Sequence, residues 1–139
     1  MAAALSSSSK RHAKLARRNL EELKKHAQRA PWNLMNKIAL LEAEMLTSAG
    51  KFEDALTKYE ESIHHACHEM FLHEQALACE KAGLSRLRFS RLIEALSYFE
   101  RARVLYRTGD AHMKVDQLTA TIDGLHRDLV AAQLNDQAF

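Results

Sequence analysis

If this chain carries out chemistry, the first place to expect it is the run HHACHEMFLH, which gathers His64, His65, Cys67, His68 and His73. On a helix His64 and His68 share a face, four residues apart, where two imidazoles can chelate a borderline metal. A zinc protease needs the histidines of H-E-x-x-H four places apart. Here His68-Glu69 is followed by His73, five places on, and that geometry is lost. Imidazoles also sit favourably near a helix C-terminus, which accounts for the cluster without a metal. No glycine-rich phosphate loop and no G-x-S-x-G elbow occurs. Acidic residues such as Glu60-Glu61 and Glu42/Glu44 fall on helix surfaces beside lysines, and read as solvated charge rather than acid/base machinery. The chain is therefore expected to have no catalytic residue, no metal and no cofactor, and not to be an enzyme.

The elements that position these residues follow from one pattern written twice. GKFEDALTKYEES and SRLIEALSYFERA align so that Ala55, Tyr59 and Ser62 recur as Ala95, Phe99 and Ala102, and twelve residues before each alanine stands a small residue, Ala43 or Gly83. Self-similarity of this kind marks helical arrays whose units stack on their neighbours. One proline and four glycines leave little turn chemistry for hairpins of strands, so the chain reads as all-α. At 139 residues and 47% apolar it holds one domain's worth of core. The apolar runs are all too short to span a bilayer, so no membrane is expected and the location reads as cytoplasmic. Cys67 and Cys79, amid alanine and leucine, read as reduced core thiols.

Taken in order, residues 1–9 form a serine-rich leader expected to be disordered, although its basic, acid-free continuation superficially suits an organelle transit peptide. A basic leading helix over 10–30 carries the narrow seam Ala16, Leu20, Leu23 and Ala27. Pro31 breaks it, Asn33 is placed to cap the next helix, and Trp32 is placed to pack over that helix start. A first repeat (34–69) follows, with Leu34, Ile38, Leu41 and Met45 inward on its first helix and a turn at Gly50. A second repeat (72–109) buries Ala76, Cys79, Ala82, Gly83 and Leu87, then, after Ser90 as a cap, Ile93, Leu96, Phe99, Ala102 and Leu105. A covering helix over 111–134 uses Val115, Leu118, Ile122, Leu125 and Leu129, for about six helices in all.

Small, small, aromatic, small at these offsets resembles the tetratricopeptide repeat. The offset between copies is 40 (Ala55 to Ala95), against 34 in that family, which places extra residues around Met70–Gln75 as helix or linker. Cys67 and Arg107 stand where the family ends its second helix with proline, and Leu46 and Arg86 where its first helix often has tyrosine. From about Arg17 to Leu118, the series RRNLEELKKHAQRAPWN, LLEAE, GKFEDALTKYEESI, HEQALACEKAG and HMKVDQL is also similar to a helical region of large signalling proteins. Those proteins combine a serine/threonine-kinase-like domain, a predicted ATPase domain, and GAF and histidine-kinase modules. The resemblance implies a right-handed stack of antiparallel helix pairs, and a detached or partial copy of a signalling scaffold that binds a protein or peptide. Mapping the repeat onto the chain assigns Lys37, Leu40, Glu44 and Thr47 to a groove from the first unit. Leu77, Glu80, Leu84 and Leu87 come from the second, with Lys81 and Arg88 at its rim. Glu44 and Glu80 would repel a peptide's terminal carboxylate.

Two other readings stay open. A net charge of +2 gives nucleic-acid binding no global support. Yet Lys10, Arg11, Lys14, Arg17, Arg18, Lys24 and Lys25 crowd the leading helix, and could serve a nucleic acid or another acidic surface. The chain could also be a structural spacer.

Overall fold

The computed structural model describes residues 2–28 and 34–137, and among them the chain is all-α: six helices and no strand. The expected roles of Pro31, Trp32 and Asn33 fall outside the described residues. The chain divides into two compact units, Met1–Glu69 and Met70–Phe139.

In the first unit α1 spans Ala2–Ala27, α2 Met35–Ser48 and α3 Phe52–His68. Helix α1 starts at Ala2, which corrects the expectation of a disordered leader over 1–9. Alanine and leucine are strong helix formers, and no proline or glycine separates them from the basic segment. Helix α2 has two working faces. Leu34, Ile38, Leu41 and Met45 pack with Leu20, Leu23 and Ala27 of α1 in one cluster. The stripe Asn36, Ala39, Ala43 and Thr47, all buried, carries the bonds to α3. There the Ser62 hydroxyl donates to the Asn36 carbonyl at 2.7 Å, and the Thr47 and Tyr59 hydroxyls lie 3.1 Å apart.

In the second unit α4 spans Leu72–Arg88, α5 Leu92–Thr108 and α6 His112–Gln137. Ala76, Cys79, Ala82 and Gly83 are buried on α4. On α5 the buried stripe is Ala95, Tyr98, Phe99, Ala102 and Tyr106. It is turned from the expected one, so that Leu96 and Leu105 are only half-buried and Ile93 is 75% exposed. Leu118, Ile122 and Leu125 bury the expected stripe of α6, with Val115 and Leu129 half-buried.

The corners obey a shorter period than the repeat. Gly50, Met70, Ser90 and Asp110 all have positive φ, at 77°, 59°, 60° and 58°, and so recur every twenty residues along the chain. Three are Schellman motifs, in which the amides of Lys51, Arg91 and Ala111 donate back to the carbonyls of Leu46, Arg86 and Tyr106 at 2.8–2.9 Å. Ser90 is thus the left-handed residue that ends α4, not the cap that begins α5, and Arg91 takes the cap position without a side-chain bond. At the 108–110 stop Asp110, rather than Gly109, turns left-handed. Gly109 instead allows a close approach. A Cβ there would lie 2.9 Å from the His73 ring and 3.3 Å from Leu72, because the end of α5 closes on the start of α4. Of the extra residues around Met70–Gln75, Met70 and Phe71 form the corner and those from Leu72 on open α4, with α3, α4 and α5 each 17 residues long.

Candidate interaction surface

The assigned residues separate into braces and solvent-facing positions. On α2, Lys37 is exposed and Leu40 half-buried. Glu44 and Thr47 instead serve the fold: the buried Tyr59 hydroxyl donates to the Glu44 carboxylate, which leaves Thr47 to donate to Tyr59. The offset of 40 exposes the logic. Tyr59, Glu44 and Thr47 correspond to Phe99, Leu84 and Leu87, so where the hydroxyl is missing its partners are missing too. Ser62, which donates to the backbone carbonyl of Asn36, corresponds to Ala102, so the second hairpin lacks that hydroxyl as well. At these crossing positions the first hairpin is joined by hydroxyl bonds, and the second by steric fit, at its tightest where Gly83 meets the Phe99 ring.

On α4, Glu80 is also a brace. The Tyr106 hydroxyl of α5 donates to it at 2.7 Å, and the Lys114 ammonium of α6 donates to both of its oxygens at 3.2 and 3.4 Å. Lys114 lies 5.8 Å from the centre of the Tyr106 ring as well, so three helices meet at one carboxylate. Burial, and then the bond to Glu80, push the Tyr106 phenol well above its ordinary value. Neither feature favours a second negative charge beside Glu80.

What remains on α4 is Leu77, Lys81, Leu84, Leu87 and Arg88. Leu84 is 46% exposed, Arg88 is exposed, and Leu77, Lys81 and Leu87 are half-buried. Positions 77, 81, 84 and 88 follow steps of four, three and four, so they share one helix face. Among the described residues no ion pair engages Lys81 or Arg88.

Arg86, two residues from Leu84, shows what sequence reasoning missed. It is only 1% exposed, and its Nη1 lies 3.3 Å from the Glu94 carboxylate on α5. A lone arginine gives no hint of burial, but Glu94 in the first turn of the following helix was the available signal.

The histidines of the run are dispersed around the end of α3 and the start of α4. Among the described residues no group of three or more His, Cys, Asp or Glu side chains is placed to hold an ion. His64, His68 and His73 are exposed, and His65 Nε2 is 3.9 Å from Glu61. Cys79 is fully buried, but Cys67 is exposed near the end of α3, which corrects its expected core position. Glu61 also accepts a 3.1 Å bond from Lys58, and that bond raises the Lys58 pKa.

All seven basic side chains assigned to α1, from Lys10 to Lys25, are exposed. Among the described residues, no helix is long and apolar enough to cross a membrane. No family model, curated protein or solved structure matches the chain.

Proposed function

We propose that the chain is a non-catalytic interaction module, and that the α4 face of Leu77, Lys81, Leu84 and Arg88 is where a protein or peptide docks. The observation that carries this is Leu84. It stands half in solvent between two cations without ion pairs, on a helix whose neighbouring residues Ala82, Gly83, Ser85 and Arg86 are all buried. A rigid helix offering an apolar anchor with a charged rim is the arrangement that peptide grooves and helix-binding surfaces use. With Glu80 neutralised by Lys114, the basic rim favours a ligand with acidic residues flanking an apolar one. The reading takes α2–α3 and α4–α5 as two tetratricopeptide-like pairs of a right-handed stack. The signalling context, that of a scaffold related to kinase- and ATPase-associated repeat regions, rests on the sequence resemblance.

The test is affinity capture with the intact chain and with a Leu84→Glu/Arg88→Glu variant whose helicity by circular dichroism is unchanged. A discrete partner that survives raised salt and is lost with the variant supports the module. Identical capture by both chains refutes the assigned face.

A further inference from the structure

Helix α1 separates charge from the remainder of the molecule. Its seven cations oppose only Glu21 and Glu22, giving the helix a net +5, and so leaving −3 for the rest of a +2 chain. At 100° per residue the seven fall within an arc of about 140°. Among the described residues none of them is held in an ion pair, whereas Lys58, Arg86 and Lys114 elsewhere are paired. Five of the seven lie between Lys10 and Arg18, with no acidic residue among them.

Beside this arc α1 and α2 part. A cleft of about 820 Å³ opens between them, its apolar walls formed by Ala13 and Ala16 of α1, Leu41 and Met45 of α2 and Ala49 just beyond it, and its polar margin by Arg17 together with Ser9, His12, Glu44 and Ser48. Arg17 belongs to both features, lying on the arc and lining the cleft. The volume falls within the range of sites that enclose small apolar ligands.

We propose that α1 is a peripheral docking element for an anionic phospholipid surface. The basic arc rests on the headgroups, Arg17 takes a lipid phosphate, and the cleft receives part of that lipid's acyl chain. Charge alone would serve a nucleic acid equally well, and the cleft decides between them: nucleic acid has no aliphatic chain to lay against Ala13, Ala16, Leu41 and Met45, whereas a lipid carries its charge and its apolar chain together. Helix α1 also has no Phe, Tyr or Trp on which a base could stack. Peripheral attachment needs two signals of this kind, a polybasic surface and an apolar contact, and no spanning helix.

The experiment is co-sedimentation of the full chain with vesicles of phosphatidylcholine alone, or of phosphatidylcholine doped with phosphatidylserine. Binding is expected to the doped vesicles only, and to fall as salt shortens the screening length. Lys10→Glu, Lys14→Glu and Arg18→Glu should each weaken it at least about fivefold, the equivalent of roughly 1 kcal/mol per basic side chain at an anionic leaflet. These positions are exposed and glutamate is a good helix former, so helicity should be retained. Ala13→Gln, which crowds the cleft with a polar group but leaves every cation, should also weaken binding; unchanged affinity would remove the acyl-chain seat. Equal binding to both vesicle types, or none to either, overturns the proposal. So does displacement from doped vesicles by duplex DNA at matched phosphate, which would assign the arc to nucleic acid.

Discussion

Replacing Gly83 with alanine sets two effects of known sign against each other. In a helix interior the change alone stabilises by about 1 kcal/mol, because alanine loses less backbone freedom on folding. At Gly83 the new Cβ would stand 2.7 Å from Phe99 Cε1 and 2.9 Å from Cδ1, well inside the ordinary carbon–carbon contact of about 3.5–4.0 Å. Phe99 is 1% exposed and its α5 neighbours Ala95 and Ala102 are fully buried, so the ring has little room to retreat. Overpacking of a tight core costs about 1–3 kcal/mol, and the net expectation is a loss of roughly 1 kcal/mol. Gly124 provides the control in the same unit. Its nearest neighbour would be the flexible end of Arg127 at 3.8 Å, and Gly124→Ala should gain about 1 kcal/mol. Urea unfolding with unchanged slopes measures both. Phe99→Leu should remove the conflict, so that Gly83→Ala becomes stabilising in that background. If Gly83→Ala stabilises the parent chain as much as Gly124→Ala does, the steric account of the second hairpin is wrong.

Left-handed geometry is strained for most side chains, so Met70→Gly, Ser90→Gly and Asp110→Gly should each raise the urea midpoint. Gains of about 0.5–1 kcal/mol are expected, smallest for Asp110, because aspartate tolerates that geometry best. Tyr59→Phe leaves the buried Thr47 hydroxyl and the Glu44 carboxylate without their shared partner and should cost about 1–3 kcal/mol by thermal or urea unfolding. Tyr106→Phe should cost about 1–2 kcal/mol at neutral pH. Because the folded phenol titrates above its unfolded value of about 10, its contribution is complete below that pH and is lost as pH rises toward the folded value. The parent chain should therefore lose stability at alkaline pH more steeply than Tyr106→Phe, and parallel profiles would refute the assignment.

Helix positions were legible because apolar periodicity and the glycine at position 50 are local signals. The long-range braces were not. Tyr59 joins Thr47 and Glu44 across a turn, and Glu80 meets Tyr106 and Lys114 from two other helices, so a carboxylate on the face assigned to a ligand turned out to be engaged within the fold. The same limit hid the corners, since only one of the four left-handed positions is glycine and Met70, Ser90 and Asp110 carry no such mark. It also hid Arg86, whose charge argues for the surface until Glu94 is placed beside it. On α5 the alternation of Ile93, Leu96 and Phe99 pointed to a stripe slightly rotated from the real one, because tyrosines 98 and 106 supply the burial that leucine and isoleucine were expected to supply.

The central claim is that the α4 face around Leu84 receives a partner. Site-specific photocrosslinking tests it most directly, with a photoreactive residue at Leu84 and, as a control, at the exposed Ser97 of α5. The account predicts a discrete protein adduct from Leu84, absent from Ser97 and abolished when Arg88→Glu is added. No adduct from Leu84, or the same adducts from both positions, would contradict it.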